Sequence, residues 1–136
     1  MPALDTQVLF ALNPNDRFHQ RALKRLAELR ETNATLYVPD TALLEFQVVL
    51  RSIDRKPEVV RKALLAIHSA LELNGATEAP TLDASLLAQQ CEIEEKHSLS
   101  YFDSLIAASA LRLNDGILSD DTSFDEVPTL VRTPLS

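Results

Sequence analysis

Asp5, Glu45, Asp103 and Asp121 each lie inside or beside an apolar segment, although they are scattered along nearly the whole chain. A carboxylate in apolar surroundings costs free energy unless something pairs with it. No Lys or Arg stands within one helical turn of any of the four in sequence. A divalent cation shared between them is the simplest way to satisfy all four. Hard carboxylate oxygens suit Mg²⁺ or Mn²⁺, so the expected chemistry is metal-dependent.

Each acid taken singly also has a structural explanation. Asp5 can simply begin a first helix, and Glu45 can reach solvent from a helix end. Asp103 forms a capping-box spacing with Ser100, S-x-x-D, and its charge suits a helix N-terminus. The Asp120-Asp121-Thr122-Ser123 run reads equally as an Asx-type turn. These explanations weaken together, because all four must then coincide by chance. Four carboxylates drawn together raise one another's pKa values, and a divalent cation relieves that repulsion.

The elements that must position these residues alternate strand and helix. Ala3 to Asp5 reads as a buried strand end, followed by a helical turn or two over residues 6–12 that Asn13-Pro14 stops. From Asp16 to Arg30 an apolar stripe of Phe18, Ala22, Leu26 and Leu29 opposes a basic face of Arg17, Arg21, Lys24 and Arg25. Leu36 to Val38 leans to strand and ends at Pro39, with Asp40 as N-cap of a helix to about Arg51. Pro57 opens a helix that Asn74-Gly75 closes after Leu73. Ala76 to Ala79 reads as strand, Thr81 as the cap of a helix through about Lys96, and Ser100 as the cap of another through Leu113. Ile117-Leu118 is a buried strand, Thr129 to Arg132 a last edge strand, and the tail is expected to be loose.

This alternation predicts an α/β chain with a three-layer α/β/α arrangement, a mostly parallel sheet and helix-rich flanks. In such sheets ligands gather at the carboxyl ends of the strands. Asp5, Glu45 and Asp121 fall at that edge, and Asp103 lies in the first turn of its own helix. Asp103 shares its face with Ile106, Ala107 and Ala110, and Glu45 with Val48 and Val49.

At 136 residues and 46% hydrophobic content, a single domain over residues 1–136 is expected. The chain has one cysteine, Cys91, which cannot form an internal disulfide and suits a reducing cytoplasm. No basic n-region precedes an apolar one at the start, and no apolar run approaches the roughly 18 residues that span a bilayer. No membrane partner is expected. With only 2 Gly there is no phosphate-cradling glycine loop. The net charge of −7 argues against a polyanionic partner, but residues 17–62 carry ten basic side chains against six acidic ones, a local balance of +4. One region can therefore face phosphate, although ordinary solvated helix faces explain the same charges.

Leu4-Asp5-Thr6-Gln7-Val8-Leu9 resembles the hydrophobic-Asp-Thr-Asn-hydrophobic opening of the PIN-domain ribonucleases, with Gln7 where Asn is usual. Thr41-Ala42-Leu43-Leu44-Glu45-Phe46 resembles their second motif, and Tyr101-Phe102-Asp103 with the small residues after it resembles their aromatic-x-Asp helix. Ser119-Asp120-Asp121-Thr122-Ser123-Phe124 is similar to the last motif when Asp121 is the functional acid, with Asp120 as the alternative. The resemblance covers essentially the whole chain and is nearest to the small single-domain toxins of the VapC type.

The resemblance implies a PIN-like fold and hydrolysis of an RNA phosphodiester by water, with Mg²⁺ or Mn²⁺ held by Asp5, Asp103 and Asp121. Glu45 would be a further ligand or water-positioning acid, and Thr6 and Ser119 would orient the ligands. It also implies an antitoxin partner, in a toxin-antitoxin system, and a homodimer. A catalytically weak or inactive PIN-like binding module is the alternative. His19, His68 and His97 are too widely spaced to suggest histidine catalysis.

Overall fold

A computed structural model describes residues 2–53 and 55–135. The chain runs β1 (Ala3–Leu4), α1 (Thr6–Ala11), α2 (His19–Glu31), β2 (Leu36–Pro39), α3 (Asp40–Ser52), α4 (Pro57–Leu73), β3 (Ala76–Ala79), α5 (Ala84–His97), α6 (Tyr101–Leu113), β4 (Gly116–Leu118), a 3-10 helix (Thr122–Glu126) and β5 (Val131–Thr133). The five strands form one sheet in the order β3-β2-β1-β4-β5, and every pairing is parallel. Parallel neighbours require crossovers, and right-handed crossovers running outward to β3 and then back to β4 place helices on both faces. This is the expected three-layer α/β/α fold, with a wholly parallel sheet.

β1 is central and has no exposed residue: Ala3 and Leu4 lie opposite Ile117 and Leu118 of β4, and Ala3 opposite Tyr37 of β2. Such a strand, covered on both faces, must be apolar throughout. The core continues through Val8, Leu9, Leu26, Leu36, Val38, Phe46, Leu105, Ile106 and Phe124. In α6 the run Ser104 to Ala110 is wholly buried, and its small residues permit close approach of its neighbours. Gly75, at φ +71°, closes α4 against the side chain of Arg30. A β-carbon there would meet Arg30 Cδ at 2.8 Å.

Four local expectations differ from the structure. α2 begins at His19 rather than Asp16, because the Asp16 carboxylate accepts the Phe18 N–H at 2.8 Å and holds the chain in a turn. Asp40 is the first residue of α3, not its cap. Its carboxylate instead accepts from Thr81 Oγ1 at 2.6 Å, Thr81 N at 3.0 Å and Leu82 N at 3.0 Å. Thr81 is therefore buried in that contact, and Asp83 caps α5 by accepting from Leu86 N at 2.8 Å. The tail is tied down: Leu135 is buried, and its N–H donates to Asp120 Oδ1 at 2.8 Å.

Candidate functional site

In the strand order, the chain passes from β1 outward through β2 to β3, then returns to β4 on the other side of β1. That reversal leaves a crevice at the carboxyl ends of β1 and β4, where Asp5 and the segment Ser119-Asp120-Asp121 emerge. Asp5 N–H extends the ladder by donating to Leu118 O at 3.2 Å. Ser119 Oγ donates to Asp5 Oδ2 at 2.7 Å and accepts Asp121 N–H at 3.0 Å. One buried hydroxyl thus holds a carboxylate and the backbone of a second acid.

Asp5 also accepts Thr6 N–H at 2.8 Å, as the N-cap of α1. The capping explanation therefore holds for this residue. Burial pushes its carboxyl up to about 7; the bonds from Ser119 and Thr6 oppose that, while the charges of Asp103 and Glu45 add to it. Glu45 is half-buried and is also pushed up by desolvation, with Asp103 adding to the rise and Thr6 opposing it. Asp103 is raised by burial and by Asp121, against the opposing bond with Ser100. The four acids sit on four different segments of the chain, yet Asp5, Glu45 and Asp103 each feel at least one of the others. None of the ion pairs among the described residues engages any of them.

Thr6 Oγ1 is buried and makes no hydrogen bond of good geometry, while lying near enough to Glu45 to favour its ionised form. Ser100 caps α6 by accepting Asp103 N–H at 3.2 Å, and Asp103 on the first turn is close enough to Asp121 to feel its charge. Its face continues through the buried Ile106, Ala107 and Ala110. Glu45 differs from expectation: Val48 beside it is 42% exposed, because α3 turns Thr41, Ala42 and Phe46 inward instead. Glu45 therefore stands at the rim of the crevice.

The two adjacent acids part company. Asp120 is engaged by Gln7 on α1 and by the Leu135 N–H. Asp121 is exposed, and among the described residues its carboxylate accepts Ser123 N–H at 2.9 Å, the expected Asx turn. Of the pair, Asp121 is the acid that raises Asp103. Gln7 does not bond to Asp5, and its pairing with Asp120 carried no sequence signal beyond the two motifs themselves. Arg132 was also missed. Its guanidinium grips Asp125 through Nε at 3.0 Å and Nη2 at 3.2 Å and donates to Ser119 O at 3.2 Å. It braces the loop that carries Asp121.

Carboxylate oxygen donors, three of them raised by burial and by a neighbouring acid, match the coordination chemistry of a hard divalent cation. Among the described residues, however, no three His, Cys, Asp or Glu side chains are close enough to hold a metal ion as they stand. Carboxylates that repel one another must turn inward to share one.

The family model for the PIN domain matches residues 3–130. No curated protein matches the chain significantly in sequence. Among solved structures, VapBC2 from Rickettsia felis, bound to a DNA fragment from its promoter, is similar with a TM-score of 0.69 at 21% identity, over 97% of this chain and 96% of that one. Mycobacterium tuberculosis VapC20, a sarcin-ricin loop cleaving toxin, has a TM-score of 0.67 at 17% identity over 94% and 95%. FitAcB from Neisseria gonorrhoeae has a TM-score of 0.61 at 21% identity over 98% and 97%. At these identities the likeness is one of fold.

Proposed function

The chain belongs to the PIN domain family, and from that premise we propose that it is a metal-dependent endoribonuclease, the toxin component of a toxin-antitoxin system. The feature that supports this reading is the electrostatic coupling of Asp5, Glu45, Asp103 and Asp121: the first three are raised by burial and by a neighbouring acid, and none of the four is in an ion pair among the described residues. Asp5, Asp103 and Asp121 would hold Mg²⁺ or Mn²⁺, with Glu45 at the rim as ligand or as acceptor of a proton from water. When bound, the cation supplies Lewis acidity toward a phosphodiester and a lowered pKa for water. Ser119 orients Asp5 through its 2.7 Å hydrogen bond, and Thr6 Oγ1 is free to orient Glu45 or a water.

The substrate side of the proposal rests on charge. Exposed Arg17 and Arg21 lie over the ring of Phe18, with guanidinium carbons 4.6 and 5.4 Å from its centroid. These cations suit the phosphates of single-stranded RNA. A small antitoxin is the proposed protein partner. Leu9, Phe10, Phe46, Leu50, Val59 and Ile67 line an apolar groove of about 490 Å³ between α1, α3 and α4, which suits the apolar face of a partner helix. A homodimer is the proposed assembly and the cytoplasm the proposed compartment. No described helix is long and apolar enough to cross a membrane.

The second reading, a catalytically weak or inactive PIN-like binding module, is favoured by the separation of the acids. Cleavage of total RNA by the purified chain, with Mn²⁺, with Mg²⁺ and with chelator, decides between them. Asp103→Asn removes one charge at nearly constant shape and is expected to abolish cutting with the circular dichroism spectrum unchanged. Cutting by Asp103→Asn at the wild-type rate would overturn the metal-centre assignment. Absence of any metal-dependent cut from folded wild-type protein would leave the binding module.

A further inference from the structure

We propose that Gln7 is a positioning residue that selects which of two adjacent acids, Asp120 or Asp121, faces the carboxylate crevice. The inference rests on the metal-centre reading above and concerns how this chain builds it. β4 ends in Leu118 and is followed by Ser119, Asp120 and Asp121, so two carboxylates leave the same strand end and only one belongs in the crevice.

The Gln7 amide closes a ring with Asp120. Its Oε1 accepts Asp120 N–H at 2.8 Å, and its Nε2 donates to Asp120 Oδ2 at 3.2 Å. The orientation of the amide is unambiguous, because a backbone N–H can only donate and a carboxylate can only accept. The other carboxylate oxygen, Oδ1, takes the Leu135 N–H at 2.8 Å. Both oxygens of Asp120 are therefore engaged from directions set by α1 and by the buried tail. On its other side, Asp121 N–H is held by Ser119 Oγ, which itself holds Asp5. With Asp120 turned toward Gln7 and the next N–H fixed on Ser119, the Asp121 side chain, which accepts Ser123 N–H, is the one left, among the described residues, without a contact to α1 or the tail.

Side-chain length matters here. Asparagine at position 7 would draw the amide back by roughly one C–C bond, about 1.5 Å, and both clasp bonds would pass out of hydrogen-bonding range. Without the clasp, Asp120 keeps only its bond from the Leu135 N–H and can swing about it toward the crevice to compete for the cation, and the Asp121 loop loses one of its fixed points.

The test measures Mn²⁺ binding by calorimetry, melting temperature and amide hydrogen exchange for wild type, Gln7→Ala, Gln7→Asn, Asp120→Ala and the double variant Gln7→Ala/Asp120→Ala. The Gln7 variants are expected to bind Mn²⁺ about 10-fold more weakly, the loss typical of groups that orient metal ligands, and to exchange faster at Asp120 N–H. The double variant is expected to bind no more weakly than Asp120→Ala, because the two residues act as one unit. His19→Ala, which loses only the contact of its ring with Ala11 O, is expected to lower the melting temperature with Mn²⁺ affinity unchanged. If Gln7→Ala binds Mn²⁺ as wild type does, or if the two losses add in the double variant, the positioning role is overturned and the metal centre stands. If wild type binds no Mn²⁺, the metal-centre reading itself fails.

Discussion

Asp5 concentrates the electrostatics of the crevice in one side chain. Burial pushes its folded-state carboxyl up to about 7, against about 3.9 for an exposed aspartate. Between those values the folded chain holds a proton that the unfolded chain has released, so stability falls as pH rises across that window. Glu45 and Asp103, also raised, act in the same direction. Metal-free wild type is thus expected to lose on the order of a few kcal/mol between about pH 4 and 7. Asp5→Asn is expected to flatten that slope, as read from urea midpoints at several pH values. An unchanged slope in Asp5→Asn would show that the carboxyl is not desolvated. Ser119→Ala removes the side-chain hydroxyl that donates to Asp5 and also frees Asp121 N–H. It is expected to cost about 1–3 kcal/mol and to raise the Asp5 pKa further, a shift that carboxyl-carbon NMR titration would detect.

Between elements, a buried hydroxyl and carboxylate network ties α3 to α6 and to the loop before α5. Thr41 Oγ1 and Thr81 Oγ1 lie 2.7 and 2.8 Å from Ser109 Oγ, and Thr81 Oγ1 donates to Asp40. Arg112 closes the outside by donating to Thr81 O at 2.8 Å and pairing with Asp83. Asp40 is desolvated, which alone would raise its carboxyl, but the bonds from Thr81, Leu82 and Thr41 outweigh this and lower it. The sign is opposite to that of Asp5: this contribution is present above about 3.8 and is lost as pH falls through the lower folded value. Asp40→Ala leaves two backbone N–H groups of the loop without their acceptor and is expected to cost about 1–3 kcal/mol at pH 7. The cost should shrink in acid, and equal costs at pH 7 and pH 3 would sink this account. α3 carries Glu45 and α6 carries Asp103, so the network sets the frame within which these two acids meet.

The whole molecule is an anion that the proposed function asks to bind a polyanion. Segregation of charge resolves the conflict: residues 17–62 carry a surplus of basic groups, ten against six acids, whereas the rest of the chain carries 14 acids against three basic groups. Arg17→Ala/Arg21→Ala is expected to weaken single-stranded RNA binding by an Asp103→Asn chain. It should also reduce the slope of log affinity against log salt by about 1.4, two phosphate contacts at roughly 0.7 each. Binding with an unchanged salt slope would remove these arginines from the RNA-facing surface.

Periodicity and punctuation made most of the fold legible, because the strands that flank the site are apolar throughout and Pro39, Pro57, Asn74-Gly75 and Ser100 mark real boundaries. Order and spacing likewise singled out the four acids that the proposed function uses. Chain-local signals misassigned Asp40 and Thr81, since each meets its partner only after some 40 residues of intervening chain have folded. The division of labour between Asp120 and Asp121, the clasp of Gln7 and the brace of Arg132 were likewise decided only by tertiary structure. A hydrogen bond acts over about 3 Å, and nothing in the sequence specifies which distant groups the sheet will bring within that reach.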